Sequence, residues 1–238
     1  MPAKHIIKPY VKNSYYHIYN RGVNKELIFF DKQDYGVFLS YLKTYLLPKD
    51  TKALQNILQN PQGSYKERNE ASKLLRLKNF TDRIDLISYC LMPNHFHLLI
   101  KQKKARDIEE MMKSLLTRYT MYVNNHHKRI GPLFQSNYKA VLVETQEQLL
   151  HLTRYIHRNP LARKISHERL DLLRQKPSSY ANFLGELRQS WVKPESILKN
   201  FFRSNPNLYK EFVEQNDGRG EEESLNVLSE VMIDSNQP

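Results

Sequence analysis

The sequence predicts an α+β fold: a split βαβ antiparallel sheet with helices packed on it, followed by a helical C-terminal extension. Three observations support this. Residues 15–21 are rich in tyrosine and isoleucine and read as a strand that Asn20-Arg21-Gly22 ends. Residues 84–91 and 95–101 read as two further strands, paired antiparallel across a Pro93-Asn94 turn. Segments with apolar residues at helical spacing lie between and after these strands, so strands and helices alternate around a central hairpin.

The remaining elements follow in order. Residues 33–47 place Val37, Phe38, Tyr41, Leu42, Tyr45 and Leu46 at helical spacing and stop at Pro48. Residues 48–82 are dominated by Lys, Asn, Gln and Glu and read as a polar insertion, with a helical excursion over 64–77. Residues 107–127 form a long helical pattern that Gly131-Pro132 breaks. Residues 138–143 alternate as a fourth strand. Thr145-Gln146-Glu147-Gln148 has the form of a capping box, opening a helix that Pro160 closes after Asn159. Strand, helix, strand, strand, helix, strand, helix is the order of a ferredoxin-like sheet. The main domain is therefore placed at residues 1–185. Residues 186–213, with Trp191, Ile197, Phe201, Phe202 and Tyr209, read as a helical extension, and 214–238 as an acidic, disordered tail.

Composition narrows the partners. The net charge is +12 over 238 residues, unevenly spread. From Lys210 onward there are two basic and eight acidic residues; the rest has 35 basic and 17 acidic, a balance of +18. A basic body of this kind suits a polyanion, because each phosphate neutralised releases counterions. No apolar run is long enough to span a bilayer, and the N-terminus lacks the apolar region of a secretory signal, so no membrane partner is expected. The single cysteine, Cys90, has no internal partner and sits in an apolar strand; a cytoplasmic location is the expectation.

The motif with most chemical content is Tyr89-Cys90-Leu91-Met92-Pro93-Asn94-His95-Phe96-His97-Leu98-Leu99. Alternation along the strand points His95, His97 and Leu99 one way and Phe96, Leu98 and Ile100 the other. Two imidazoles on one strand face can hold one metal ion while the other face packs into a core. Downstream, Tyr155-Ile156-His157-Arg158-Asn159-Pro160 places a tyrosine and an amide one helical turn apart.

Together these two phrases resemble the single-tyrosine HUH transposases of insertion sequences and, more strongly, their solitary relatives, the REP-associated tyrosine transposases. Tyr16-His17-Ile18-Tyr19-Asn20-Arg21-Gly22, residues 131–140 and residues 178–185 add to the resemblance, which covers roughly residues 10–185. It implies the same ferredoxin-like architecture. The reaction it implies is metal-dependent cleavage and religation of single-stranded DNA at a hairpin, through a covalent 5′-phosphotyrosine. Tyr155 is then the nucleophile, and His95, His97 and Asn159 hold the metal, magnesium or manganese; the mixed nitrogen and oxygen donors suit manganese well. Many insertion-sequence members have glutamine where this chain has Asn159. The resemblance leaves open a homodimer, since some members share sites between two chains. Two other readings stay open: a catalytically silent DNA-binding protein derived from a transposase, and an HUH nickase of the replication-initiator type.

Arg21, Lys101, Lys103, Lys104, Gln135 and Arg158 are candidate DNA contacts, Gln135 equally a loop brace. His157, pointing away from Tyr155 in a helix, is expected at the surface or facing DNA. His151, one turn before Tyr155, is a weaker candidate ligand. Tyr16, Tyr19 and Phe134 are read either as stacking partners for unpaired bases or as core. Tyr119, Tyr122, Tyr138 and Tyr180 are expected in the core.

Overall fold

A computed structural model of the chain describes residues 10–161, 177–215 and 227–228. Its frame is a four-stranded antiparallel sheet in the order β2-β3-β1-β4. Here β1 is Tyr15–Arg21, β2 Ile84–Met92, β3 His95–Gln102 and β4 Lys139–Val143. This is the split βαβ arrangement that the order of elements predicts, with β3 returning between β1 and β2.

Several helices open on a side-chain cap. The α1 helix, Lys32–Leu46, opens on a capping box between Asp31 and Asp34. The polar insertion forms two helices, α2 (Thr51–Gln59) capped by Asp50 and α3 (Tyr65–Arg76) capped by Ser64 and Glu67. The sequence reading found α3 but missed α2, whose apolar stripe of Leu54, Ile57 and Leu58 is short and buries no residue. The α4 helix is Asp107–His126, and α5, Gln146–Arg158, opens on the Thr145–Gln148 capping box and ends with Asn159 as its C-cap. The main domain ends with α6 (Tyr180–Phe183), and the C-terminal extension contributes α7 (Glu195–Phe202) and α8 (Pro206–Glu214).

The sheet separates two cores. One face carries Tyr16, Ile18, Phe96, Leu98 and Ile100, packed against Phe38 and Leu42 of α1 and Met111, Leu115 and Tyr119 of α4. The other carries Cys90, Leu99 and Val143, packed against Leu149, Leu152 and Ile156 of α5 and, beyond them, Tyr180, Phe183, Ile197 and Tyr209. The pleat thus splits β3 as its sequence predicts. In β2 a register shift between Leu86 and Ser88 reverses the alternation, so Leu86, Tyr89 and Leu91 all reach the first core. Phe96 is fully buried in that core, where truncation to alanine costs about 3–5 kcal/mol.

Residues 177–179 and Lys193 of the extension together cover the outer edge of β2. Leu91 N–H donates to Pro177 O, Ser179 N–H to Tyr89 O and Lys193 N–H to Leu86 O, at 2.8–3.0 Å. Covering an edge removes a template for unwanted strand pairing. Of residues 214–238, Leu228 is fully buried in the second core; residues 216–226 and 229–238, and with them most of the acidic tail, lie outside the described residues. No helix among the described residues is long and apolar enough to cross a membrane.

Tyr119, Tyr138 and Tyr180 are buried, as expected, and Tyr122 packs against the first core. His157 is a correction. It is fully buried, with Nδ1 2.6 Å from the Tyr209 hydroxyl and Nε2 2.8 Å from Ser179 Oγ. Its direction away from Tyr155 is right, but α8 and the 177–179 segment occupy that side. Burial pushes its pKa down to about 3. Because the native value lies below the ordinary His value of about 6.5, the unfolded chain binds this proton first as pH falls. Stability from this residue is complete above about pH 6.5 and is lost as pH falls toward 3. We expect urea midpoints to fall between pH 7 and 5, with a slope contribution of up to about 1.4 kcal/mol per pH unit that His157→Gln removes. An unchanged slope in that variant would place the acid sensitivity elsewhere.

Candidate active site

The site lies where the β2–β3 turn, the end of β1 and the end of α5 meet. The turn is set by backbone bonds. Gly22 N–H donates to Asn94 O at 2.9 Å, and Ile28 and Phe29 N–H both donate to Pro93 O at 2.8 and 3.0 Å. Gly22 allows this fold-back, because a Cβ there would stand 2.1 Å from Glu26 O. The glycine of the Asn-Arg-Gly phrase therefore serves to seat the turn that leads into His95.

Cross-strand register brings the polar residues together. Arg21 lies opposite His95, and Tyr19 opposite His97. Directly opposed residues share a face, so His17, Tyr19 and Arg21 join His95 and His97 on the side that α5 covers. From α5 come Tyr155 and, one turn on, Asn159. The His95 and His97 rings stand 5.0 Å apart and nearly perpendicular. The Tyr155 ring meets His97 edge-on at 5.4 Å. All these side chains come from one chain.

The decisive contact is made by Asn159. Its Oδ1 is 3.1 Å from His95 Nε2. The same amide hydrogen-bonds the Tyr155 phenol and favours the phenolate, as its NH2 does when it donates. One amide thus joins the tyrosine to the histidine. On the other side of the ring, His95 Nδ1 is 2.7 Å from Asn94 Oδ1. A neutral imidazole has one N–H to give. With that proton on Nδ1, the Nε2 lone pair faces the Asn159 oxygen: two donors for a cation.

Electrostatics suit ligation. Burial, then the Arg21 charge, holds the His95 pKa below its ordinary value, with Asn159 acting in the opposite sense. Burial, His17, His95 and Arg21 together hold His97 well below it. Both rings are therefore neutral at physiological pH, the form a metal takes. Burial holds the Tyr155 phenol above its ordinary value, while the Asn159 hydrogen bond and the Arg21 charge pull it back.

The other candidates are placed as follows. Gln135 N–H donates to Arg21 O at 2.9 Å, so Gln135 stands at the site's end of the sheet with an exposed side chain. Lys101 stacks over Tyr15, Lys103 pairs with Asp85 at 3.8 Å, and Lys104 follows them. At about 3.3 Å per residue the strand carries these three roughly 20 Å or more from His95. Arg158 Nη1 donates to Val213 O and Gln215 O at 2.7 and 2.9 Å, and so ties α5 to the end of α8. His151 turns its ring to Phe212. Tyr16 is core, Phe134 packs against the core, and Tyr19 packs beside His17 and His97, 4.8 and 5.9 Å away. Sequence reasoning missed His17, although the alternation of Tyr-His-Ile-Tyr-Asn-Arg already placed it on the face of Tyr19 and Arg21.

A second convergence of possible ligands, Asp31, Asp34, His126 and His127, lies at the junction of α1 and α4 with ligand atoms within 4.8 Å of one another. Its groups already serve one another and the helix start. Asp34 caps α1, accepts from Phe30 N–H at 2.7 Å, and meets His127 Nε2 at 3.0 Å.

Residues 63–159 match the model of the family described as "Transposase IS200 like". This part of the chain is similar to IS200-like transposases. The matched range contains His95, His97 and Tyr155 and closes on Asn159. It begins after β1, so His17 and Arg21 lie outside the matched residues. Among solved structures, one titled "Structure of the REP associates tyrosine transposase bound to a REP hairpin" aligns over 78% of this chain and 94% of that chain, at 11% identity and a TM-score of 0.43. No curated protein matches the chain.

Proposed function

We propose that the protein cleaves and rejoins single-stranded DNA through a covalent 5′-phosphotyrosine on Tyr155. The Asn159 amide, which bonds the Tyr155 phenol and sets its oxygen 3.1 Å from His95 Nε2, is the observation that supports this most directly. In the forward step the phenol oxygen bonds to phosphorus and the bond from phosphorus to the 3′ oxygen breaks. The phenol loses a proton and the departing 3′ oxygen gains one, so a free 3′-OH remains and no proton is consumed overall. The phosphotyrosine keeps the bond energy of the phosphodiester. The reverse attack by a 3′-OH then rejoins strands without a nucleotide cofactor.

His95, His97 and Asn159 form a donor set that fits a divalent ion of the magnesium or manganese class, two neutral imidazoles and one amide oxygen. When bound there, such an ion polarises the scissile phosphate and offsets its developing charge. Arg21 supplies a fixed positive charge beside the phenol, favouring both the phenolate and an approaching phosphate. The partner is single-stranded DNA carrying a hairpin, as the HUH resemblance implies; the basic body supplies attraction without sequence preference.

Substrate form tests this. We expect end-labelled oligonucleotides with a hairpin and single-stranded flanks to be cleaved in manganese, and blunt duplex of the same sequence to be spared. Affinity should fall on the order of tenfold to a hundredfold between about 50 and 200 mM salt if about three to five phosphates are contacted. Preferential cleavage of duplex, or salt-independent binding, counts against the proposal.

A further inference from the structure

We propose that His17 is a positioning residue that sets the tautomer of His97 and so aims its Nε2 lone pair into the site. This rests on the metal reading above and deepens it. The His17 side chain is buried on β1, packed 4.8 Å from the Tyr19 ring and edge-on to Tyr155 at 6.1 Å. Its Nε2 lies 2.9 Å from His97 Nδ1, with the two rings within 19° of parallel. That contact needs one proton between two nitrogens. If His97 keeps the proton on Nδ1 and His17 accepts it, His97 Nε2 is left as a lone pair. The opposite assignment puts the proton on His97 Nε2 and closes that nitrogen to a metal.

The rest of the site selects the first assignment. His95 is oriented in the same way, its Nδ1 held by Asn94 Oδ1 at 2.7 Å and its Nε2 turned to Asn159. Each histidine of the pair thus has its Nδ1 engaged by a neighbour and its Nε2 left for the site. A ligating histidine generally donates its other N–H to an oxygen acceptor, and loss of such a partner costs about 10- to 100-fold in metal affinity. In this chain one acceptor is an amide and the other an imidazole. His17 lies outside the family match at residues 63–159, yet the cross-strand register, with Tyr19 opposite His97, brings it there.

The test uses the full chain and manganese alone. Calorimetry should show His17→Leu binding manganese about 10- to 100-fold more weakly than the native chain. His17→Gln, whose amide oxygen still accepts from His97, should recover most of that affinity. A residue that only fills the core would not show this rescue. Unchanged affinity in His17→Leu overturns the inference, and so does a loss that His17→Gln fails to restore. Nitrogen-15 NMR of the histidine rings in the native chain is a second measurement, and it needs no variant to fold. His97 protonated on Nδ1 supports the inference, and His97 protonated on Nε2 overturns it. A native chain that takes up no manganese at all overturns the metal reading beneath it instead, and the two failures are told apart.

Discussion

Tyr155→Phe should abolish the covalent DNA adduct while leaving fold and hairpin binding in place. The substitution removes one oxygen from a ring whose packing against His17 and His97 is unchanged, so stability should shift by no more than about 1 kcal/mol. Removing the nucleophile should lower strand cleavage by at least about 10³-fold. Denaturing gels and mass spectrometry of the labelled 5′ product read this directly. Tyr19 is the informative control, because its ring lies 5.9 Å from His97 in the same site. Tyr19→Phe should still form the adduct. An adduct that survives in Tyr155→Phe and vanishes in Tyr19→Phe would transfer the role to Tyr19.

Replacing His95 or His97 should remove both manganese binding and cleavage. Alanine at either position deletes one of three donors, and at His97 it also opens a buried gap beside His17. The loss should therefore exceed that of any neighbouring positioning residue: more than about 100-fold in affinity. Asn159→Ala should weaken binding and also release the phenol that the amide holds. His126→Ala serves as the control for the second convergence of ligands at the junction of α1 and α4. If manganese affinity follows His126 and ignores His95 and His97, the ion sits there and the proposed site is wrong.

Much of this arrangement is legible in the sequence because it depends on local rules. The hairpin, its faces and the capped start of α5 follow from period two, a Pro-Asn turn and a Ser/Thr-type capping box. Tyr155 and Asn159 share a helical face by spacing alone, and the structure shows them bonded through the amide. What escaped reading depends on partners far along the chain. A helical wheel gives the direction of His157 but not what lies in that direction; Tyr209, 52 residues later, closes that side. Arg158 reads as a DNA contact, and nothing local shows that its Nη1 also reaches carbonyls at the end of α8. His17 needed the pairing of β1 with β3, 80 residues apart, before it could be seen as a partner of His97. The bulge in β2 left no local mark, since Leu86, Ile87 and Ser88 read as ordinary strand.

The place of Asn159 at the end of α5 has a further consequence. As the C-cap, it stands where the aligned peptide dipoles of the helix leave about half a negative charge. That field favours a cation beside the amide and opposes a bare phosphate. If the proposed ion binds there, the helix separates two tasks by sign: it would help hold the ion and leave the entering phosphodiester dependent on the positive charges of that ion and of Arg21. DNA binding at the scissile position should accordingly be far weaker without divalent ion than the basic charge of the whole body would suggest. On the proposed function, the tyrosine would then meet a phosphate only when the site is charged to receive one, which would guard a reversible strand-breaking group against idle contact with nucleic acid.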